Sequence, residues 1–391
     1  MTPLPLAGVR VLDLSRVLAG PFSTMMLGDL GADVVKVELP GRGDDLRAWG
    51  PPFLASGEST YFLAVNRNKR SLALDLRVPA DGERFRALLA RADVLVENFR
   101  AGYLERLGYT DAAFEAINPH LVRCTIHAFS SPAMQGVPGY DLILQAMSGV
   151  MDVTGPVEGP PSKVGFAAVD VLTGLYAALA VAAALARPEP RRYLRLDLAM
   201  LDCAAASMVN WASGYLLAGA RPERLGNAHP NVAPYDVFAA QDGHVAIACG
   251  NQSQWEALCR VLDRPEFLTR PEWATNAGRV RDRANLNAAL GEVIAQEAAD
   301  AWVERLNAGG IPCQRVSDLP SVIERGVLDP SAVVGPPPGQ EASGLRWISN
   351  PIRLNDERLA VRTVVRAVGE HGREVLRDWL GEEGGTTGDG P

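Results

Sequence analysis

An α/β fold with a parallel sheet and a smaller second domain is predicted by three features of the sequence. Short Val- and Leu-rich runs alternate with helical stretches as far as Ile126, those runs are almost continuously apolar, and the texture changes after about Arg221. Alternation of this kind implies βαβ units. Strands that are apolar at nearly every position fit a sheet covered by helices on both faces.

Taken in order, Gly8–Leu14, Asp33–Glu38, Ser71–Leu76, Asp93–Glu97 and Leu121–Ile126 read as strands. Between them Pro21–Leu30, Ala80–Ala92 and Tyr103–Ile117, the last broken at Gly108, read as helices. A polar break at Arg187–Arg192 is followed by a strand-like run from Tyr193 and a long helical stretch, Leu201–Ala218. From Arg221 the chain has its own turn chemistry (GNAHPNVAPY), a hairpin-like strand after Asp242-Gly243, and helical stretches around Trp255, Asn285 and Trp302. The Pro- and Gly-rich Leu328–Gly344 reads as a connector. The expected division is residues 1–220 as a large Rossmann-like domain, 221–325 as a small α+β domain, 326–382 as connector and C-terminal segment, and 383–391 as a disordered tail.

Composition narrows the function. A hydrophobic share of 47% and a charged share of 21% are those of an ordinary soluble protein. The net charge of −8 argues against nucleic acid as a partner, since phosphate binding needs a basic surface. Five cysteines, odd in number and without a CxxC pair, indicate neither a disulfide framework nor a zinc site, and no metal site is expected. The N-terminus shows no basic segment followed by an apolar one, so a cytoplasmic location is expected.

Asp170 is the only charged side chain in the apolar run Val164–Ala186. VGFAAV reads as a short buried segment and VLTGLYAALAVAAALA as a helix, which puts Asp170 at or next to a helix N-terminus. Burial raises a carboxyl pKa, whereas free backbone N–H groups at a helix start hold the anion. Two readings follow: a helix cap worth about 1 kcal/mol, or a desolvated nucleophile or base. The apolar stretch after Asp170 ends at Arg187-Pro188, short of the roughly 20 residues a bilayer needs, so no membrane span is expected.

Other candidates are weaker. The turn SRVLAGPFS after the first strand has one glycine where a dinucleotide fingerprint has three. Basic residues gather at Arg67–Arg70, Arg77, Arg100 and Arg106, near predicted strand ends, as scattered surface charge or as a site for a phosphorylated ligand. The histidines do not pair at metal-binding spacings; His127 follows a predicted strand, where it is a structural residue or reaches a site. Tyr140, in PGYDLILQAMSG, holds a ligand carbonyl or packs.

An ordered set of segments resembles the family III (CaiB/BaiF-type) CoA-transferases: LAGVRVLDLSRVLAGPFSTMMLGDLGADVVKVE, NRNKRSLALDLR, ADVLVENFRAGYLERLGY, PGYDLILQAMSG, GPPSKVGFAAVDVLTGLYAALAVAAALA, ERLGNAHPNVAPYDVF, DGHVAIACGNQSQWEALCRVL and AGGIPCQRV. They run in family order from Leu6 to about Arg315. The resemblance implies an acyl-CoA:carboxylate CoA-transferase with a Rossmann-like large domain, a small domain, a C-terminal segment that returns to the large domain, and two interlocked chains. It matches Asp170 to the aspartate nucleophile, and backbone N–H groups around Leu18 and Ala19 to the donors that face developing oxyanions. Leu74, Arg77, Asn98, Phe99, Arg100, Arg106 and Tyr140 match CoA-binding positions, and Gly226, Asn227 and Asn231 match positions that approach the acyl group. No tightly bound cofactor is implied; coenzyme A enters as the acyl-CoA substrate, with a carboxylate as its partner. Leu39 departs from the pattern, standing where some members carry a CoA-binding arginine, and the loop from His127 to Pro138 differs from the usual glycine-rich stretch. The alternative is an α-methylacyl-CoA racemase on the same fold, in which a histidine stands where this chain has Tyr140, with His127 as the conceivable substitute; a further rival is a CoA-binding protein without turnover.

Overall fold

The computed structural model of the chain describes residues 3–134, 137–188 and 192–382. The expected tail 383–391, part of the Arg187–Arg192 break and Gln135-Gly136 of the altered loop lie outside the described residues. The chain divides into two compact units, one of Met1–Val150, Val164–Gly219 and Asp329–Pro391, the other of Met151–Lys163 and Ala220–Leu328.

The first unit is built in the order β1 (Arg10–Asp13), α1 (Ala19–Asp29), β2 (Asp33–Glu38), α2 (Thr60–Val65), β3 (Lys69–Ala73), α3 (Pro79–Leu89), β4 (Val94–Glu97), α4 (Tyr103–Arg106), α5 (Asp111–Ile117), β5 (Val122–His127) and α6 (Asp141–Met147). A helical turn, α7 (Val150–Val153), leads away, and the unit resumes with α8 (Ala168–Leu185), β6 (Leu194–Ala199), α9 (Met200–Ser207) and α10 (Val209–Ala218). The six strands form one parallel sheet in the order β3-β2-β1-β4-β5-β6. Successive residues of a strand face opposite sides, and both sides are apolar here. Val11, Val34, Val94 and Val96 enter a core shared with α1, α8 and α9. Leu12, Val35 and Leu95 enter another shared with α3, α5 and the C-terminal helix. That double burial is why the central strands β1 and β4 lack an exposed polar face, whereas β6 alternates, with Arg195 and Asp197 exposed. The order of the sheet reverses between β1 and β4, and such a switch point opens a crevice at the carboxyl ends of the strands.

Three local expectations are corrected. VGFAAV is not a buried segment: Gly165 and Phe166 are exposed in a loop, and the helix starts at Ala168, so Asp170 is its third residue rather than its cap. The long helix expected at Leu201–Ala218 is divided into α9 and α10 at Met208. The basic run Arg67–Arg70 is neither a solvated patch nor a phosphate site. Arg67 pairs with Asp29 at 2.7 Å, Lys69 with Asp13 at 2.9 Å and Arg70 with Asp33 at 2.6 Å, and Arg67 and Lys69 are buried.

Residues after Asp329 belong to the first unit. Asn68 donates its N–H to the Thr363 carbonyl, and the C-terminal helix (Gly372–Leu380) places Val375 and Trp379 in the core on one side of the sheet. The Trp379 indole donates to Asp33 at 2.7 Å. Short antiparallel pairs at Val333–Val334 with Trp347–Ile348 and at Arg353–Leu354 with Glu357–Arg358 complete the segment.

The second unit has a three-stranded antiparallel sheet, β7 (Tyr235–Ala240), β8 (Gly243–Ala248) and β9 (Cys313–Arg315), with β8 central. Helices at Gln252–Val261, Arg283–Ile294 and Ala299–Ala308 bury Trp255, Leu290 and Trp302 against it. Met151–Lys163, read from sequence as part of the large domain, belongs with this unit; Arg224 reaches the Asp152 carbonyl. That contact joins segments far apart in the chain, with no periodicity to announce it.

Two constraints hold the region after β1. A buried ionic cluster links Asp13 to Lys69 at 2.9 Å and Lys36 to Asp44 at 2.8 Å, and the Lys36 ammonium also donates to the Ser15 carbonyl. Burial alone would raise the Asp13 pKa, but Lys69, Lys36 and the Ser15 and Thr24 hydroxyls bring it down to about 2. The other constraint is the close approach of α1 and α8. A Cβ at Gly174 would meet the Ala19 carbonyl at 2.8 Å and the Phe22 ring at 2.9 Å.

Lys36→Met is expected to destabilise the fold by about 3–5 kcal/mol, because it leaves buried Asp44 without a counter-charge; denaturant melts check this. Gly174→Ala gains up to about 1 kcal/mol of helix propensity but overpacks a backbone contact at about 1–3 kcal/mol. A net fall in Tm is expected, and an unchanged or higher Tm would refute the tight contact.

Candidate active site

The loop from Ser15 to Leu18, between β1 and α1, is clamped at nearly every backbone group. Asp13 accepts from the Ser15 N–H and also takes the Ser15 hydroxyl; the Asn98 amide accepts from the Arg16 N–H and donates to the Arg16 carbonyl, both at 2.9 Å; and Asp44 accepts from the Val17 N–H at 3.2 Å. Val17 lies at φ 65°, a left-handed conformation that a β-branched residue rarely adopts. Backbone strain of this kind persists only where the surroundings over-determine it. Asn98 follows β4, so its side chain spans the two sides of the switch point. The clamped loop delivers Ala19 to the first position of α1.

Asp170 comes to the same place from α8. Its helix begins after Ala167, which has no side-chain cap, and the Ala19 backbone amide lies near enough to the Asp170 carboxylate to favour its anion. Burial and the like charge of Asp141 push the Asp170 pKa up to about 7, against the pull of that N–H. The helix N-terminus therefore does not keep the group as acidic as an exposed carboxylate. Its free donors are engaged by another residue: Asp141 Oδ1 accepts from the Val169 N–H at 2.8 Å and from the Asp170 N–H at 3.2 Å.

A cavity of about 600 Å³ opens here. It is lined by Ala19, Arg77, Asn98, Phe99, Arg100, Arg106, Tyr140 and Asp170, which are eight of the residues singled out in the sequence. The Phe99 ring lies 4.7 Å from that of Tyr103, and the Arg16 guanidinium sits 5.3 Å from its centroid. Arg77 is exposed and held by Asp75 through two hydrogen bonds of 2.8 and 2.7 Å. Tyr140 is 60% exposed, so its ring faces open space rather than packing.

Two singled-out residues stand back from the cavity. Leu18 is buried as the residue before α1, and Leu74 lines a smaller neighbouring recess with Ser15, Lys36 and Glu38. Gly226, Asn227 and Asn231 lie in the second unit, in the loop before β7. Gly226 takes a left-handed φ of 63°, and the Asn231 carbonyl accepts from Asn276.

Sequence reasoning missed Arg16, Tyr61 and Asp141. Arg16 brings a guanidinium to the cavity that Leu39 also lines. Tyr61, on α2, is held above its ordinary pKa by burial and by the charges of Asp170 and Asp141. A signal for Asp141 was present in the Asp-to-Gln spacing of DLILQ, which places Asp141 and Gln145 one helical turn apart. His127 lines the cavity, and its Nε2 lies 3.2 Å from Asp197.

Comparisons with known proteins agree with this geometry. The family model for CoA-transferase family III matches residues 6–372. The succinyl-CoA:glutarate CoA-transferase of Mus musculus is 37% identical over 96% of this chain and 86% of its own. The succinate--glutarate CoA-transferase of Agrobacterium fabrum is 35% identical over 96% and 95%. Among solved structures, a CaiB/BaiF family protein from Brucella suis superposes with a TM-score of 0.84 at 37% identity, over 97% of this chain and all of that one. The parallel sheet, the switch-point cavity and these likenesses lead to one conclusion: the chain belongs to CoA-transferase family III and is an enzyme that moves coenzyme A between carboxylic acids.

Proposed function

We propose that Asp170 is the nucleophile of this transfer. What carries the reading is its position: a partly buried carboxylate on the wall of the switch-point cavity, facing the Ala19 N–H. A carboxylate oxygen of Asp170 attacks the acyl-CoA carbonyl carbon, the C–S bond breaks, and a mixed anhydride and CoA thiolate result. The thiolate attacks the aspartyl carbonyl of the anhydride and expels the first carboxylate, leaving an aspartyl-CoA thioester. The acceptor carboxylate then runs the same steps in reverse. Covalent catalysis divides a difficult exchange into displacements at activated carbonyls. Each displacement places negative charge on an oxygen, and the backbone N–H groups at Leu18 and Ala19 are the donors we assign to it.

We assign CoA to the crevice formed by Arg77, Asn98, Phe99, Arg100, Arg106 and Tyr140, with Arg16 as an added cation where Leu39 offers none. Leu74 supports its floor. By likeness to the mouse and Agrobacterium enzymes, we take the donor to be succinyl-CoA or another dicarboxyl-CoA, and the acceptor a dicarboxylate such as glutarate. We infer a cytoplasmic, interlocked homodimer. Leu179, Leu216 and Leu217, on α8 and α10, are 66%, 77% and 87% exposed, and a second copy would cover them. Light scattering that returned a monomer at micromolar concentration would exclude this assembly.

Asp170→Asn is expected to fold and to lose transfer by at least about 10³-fold. Borohydride or hydroxylamine during turnover with succinyl-CoA should mark Asp170, and peptide mass spectrometry reads the mark. Exchange of the α-proton of a 2-methylacyl-CoA in deuterated water without an acceptor would favour the racemase instead.

The nucleophile must be ionised, so kcat/KM is expected to rise with pH through a limb near 7. Stability follows the opposite sign. A carboxyl whose pKa is raised on folding costs more to ionise in the folded chain, so the wild type loses stability as pH climbs from about 4, the unfolded value, to about 7. Asp170→Asn escapes that loss, and its Tm should gain on the wild type across this window; a difference that does not change with pH would refute the shift.

A further inference from the structure

We propose that Asp141 is a positioning residue for Asp170: it caps the helix that carries the nucleophile and, with Gln145, fixes the loop leading into it. The inference rests on the reading of Asp170 as the nucleophile.

The first turn of a helix leaves N–H groups without intrahelical acceptors. An aspartate at the third position, behind an alanine cap, is the natural side chain to fold back on them. In α8 those donors are already satisfied. The Ala168 N–H donates to the Phe166 carbonyl at 2.8 Å, and the Val169 and Asp170 N–H groups both donate to Asp141 Oδ1. The Asp170 carboxylate is therefore not drawn into capping its own helix, and it faces the Ala19 N–H and the cavity.

Asp141 is itself well fixed. It is the first residue of α6, and its other oxygen accepts from the Gln145 amide at 2.6 Å. Gln145 is fully buried; its Oε1 accepts from the Val164 N–H at 2.8 Å, and its amide also reaches the Phe166 carbonyl at 3.4 Å. The network thus joins the start of α6, the loop at Val164–Phe166 and the start of α8. Breaking one member of a buried polar network leaves its partner unsatisfied. The loop that sets the entry of Asp170 has no other anchor of this kind in its own side chains, which are Val, Gly, Phe and Ala.

The charge of Asp141 also bears on the reaction. Two carboxylates at one corner oppose each other's ionisation, which makes the nucleophile more basic. Tyr61 on α2 is near enough for both charges to raise its pKa, and Tyr140, the residue before Asp141, lines the cavity. The other titratable or charged groups on elements packed against α8 are Asp29 on α1, Arg123, Cys124 and His127 on β5, Arg195 and Asp197 on β6, and Asp202 and Cys203 on α9. Asp29 is paired with Arg67, Arg123 with Glu97, and Arg195 with Asp111 and Asp197; His127 lies 3.2 Å from Asp197, Asp202 takes the Ser130 hydroxyl, and burial pushes the Cys124 and Cys203 thiols up.

The test compares Asp141→Ala, Asp141→Asn, the double variant Asp141→Asn/Gln145→Glu and Asp170→Asn in the full-length protein, with succinyl-CoA and glutarate as the probe pair. Asp141→Ala removes the cap and should lower kcat by about 10²-fold, as a displaced catalytic group does, with a much smaller change in the KM for acyl-CoA. Asp141→Asn keeps one acceptor for the helix but sets its amide nitrogen against that of Gln145, and kcat should fall by less. Adding Gln145→Glu restores an acceptor opposite that nitrogen while still accepting from Val164, and should recover most of kcat. Loss of the charge in Asp141→Asn should move the acid limb of kcat/KM to lower pH by roughly half a unit. If Asp141→Ala does not fold, the asparagine variant and the double variant carry the comparison. The inference is wrong if the asparagine variant keeps both wild-type kcat and the wild-type limb while Asp170→Asn is inactive, an outcome that leaves the nucleophile standing. If Asp170→Asn transfers CoA at the wild-type rate, both readings fall together.

Discussion

The approach of two helix N-termini, α1 at Ala19 and α8 at Ala168, is the constraint on which the candidate site depends. It exists because position 174 has no Cβ to hold the helices apart, and because the loop entering α1 cannot move. The loop is immobile for an electrostatic reason: Asp13, Asp44 and Asn98 take its N–H groups, and buried lysines neutralise the two aspartates. Burying charges so deeply is expensive unless each is paired and hydrogen-bonded. Here the expense falls on the one turn of chain whose backbone faces Asp170.

The environment of Asp170 is a balance between opposing effects. A helix N-terminus and a backbone N–H favour the anion, whereas burial and a second carboxylate disfavour it. Burial and repulsion win, and the group sits near neutrality at about 7. A carboxylate poised there is still available as an anion around neutral pH, yet is more basic than an exposed aspartate. Such a combination suits attack on a thioester better than a strongly stabilised, acidic carboxylate would.

The basic residues fall into two sets that look alike as sequence. Arg67, Lys69 and Arg70 are consumed in ion pairs that tie β3 to α1, β1 and β2. Arg16, Arg77, Arg100 and Arg106 line the cavity instead. Spacing along the chain does not separate the sets, since Arg70 lies within β3 and Arg77 follows shortly after its end. What separates them is whether an acidic partner lies on a neighbouring element.

The strands and their order of appearance were legible because apolar periodicity and turn residues are local properties, fixed by which side chains can be buried on both faces of a sheet. Asp170 was legible as a lone charge in an apolar run, and the ordered motifs gave it a role to test. The start of α8 was not, because VGFAAV is apolar for reasons that composition does not separate: its first four residues are a loop pinned by the distant Gln145, and its last two open the helix, held by Asp141. The burial of Arg67–Lys69, the clamp on Val17 and the membership of Met151–Lys163 were likewise invisible. Each is made by partners remote in the chain, and a one-dimensional pattern holds no record of which distant side chain satisfies a buried charge or an orphaned N–H.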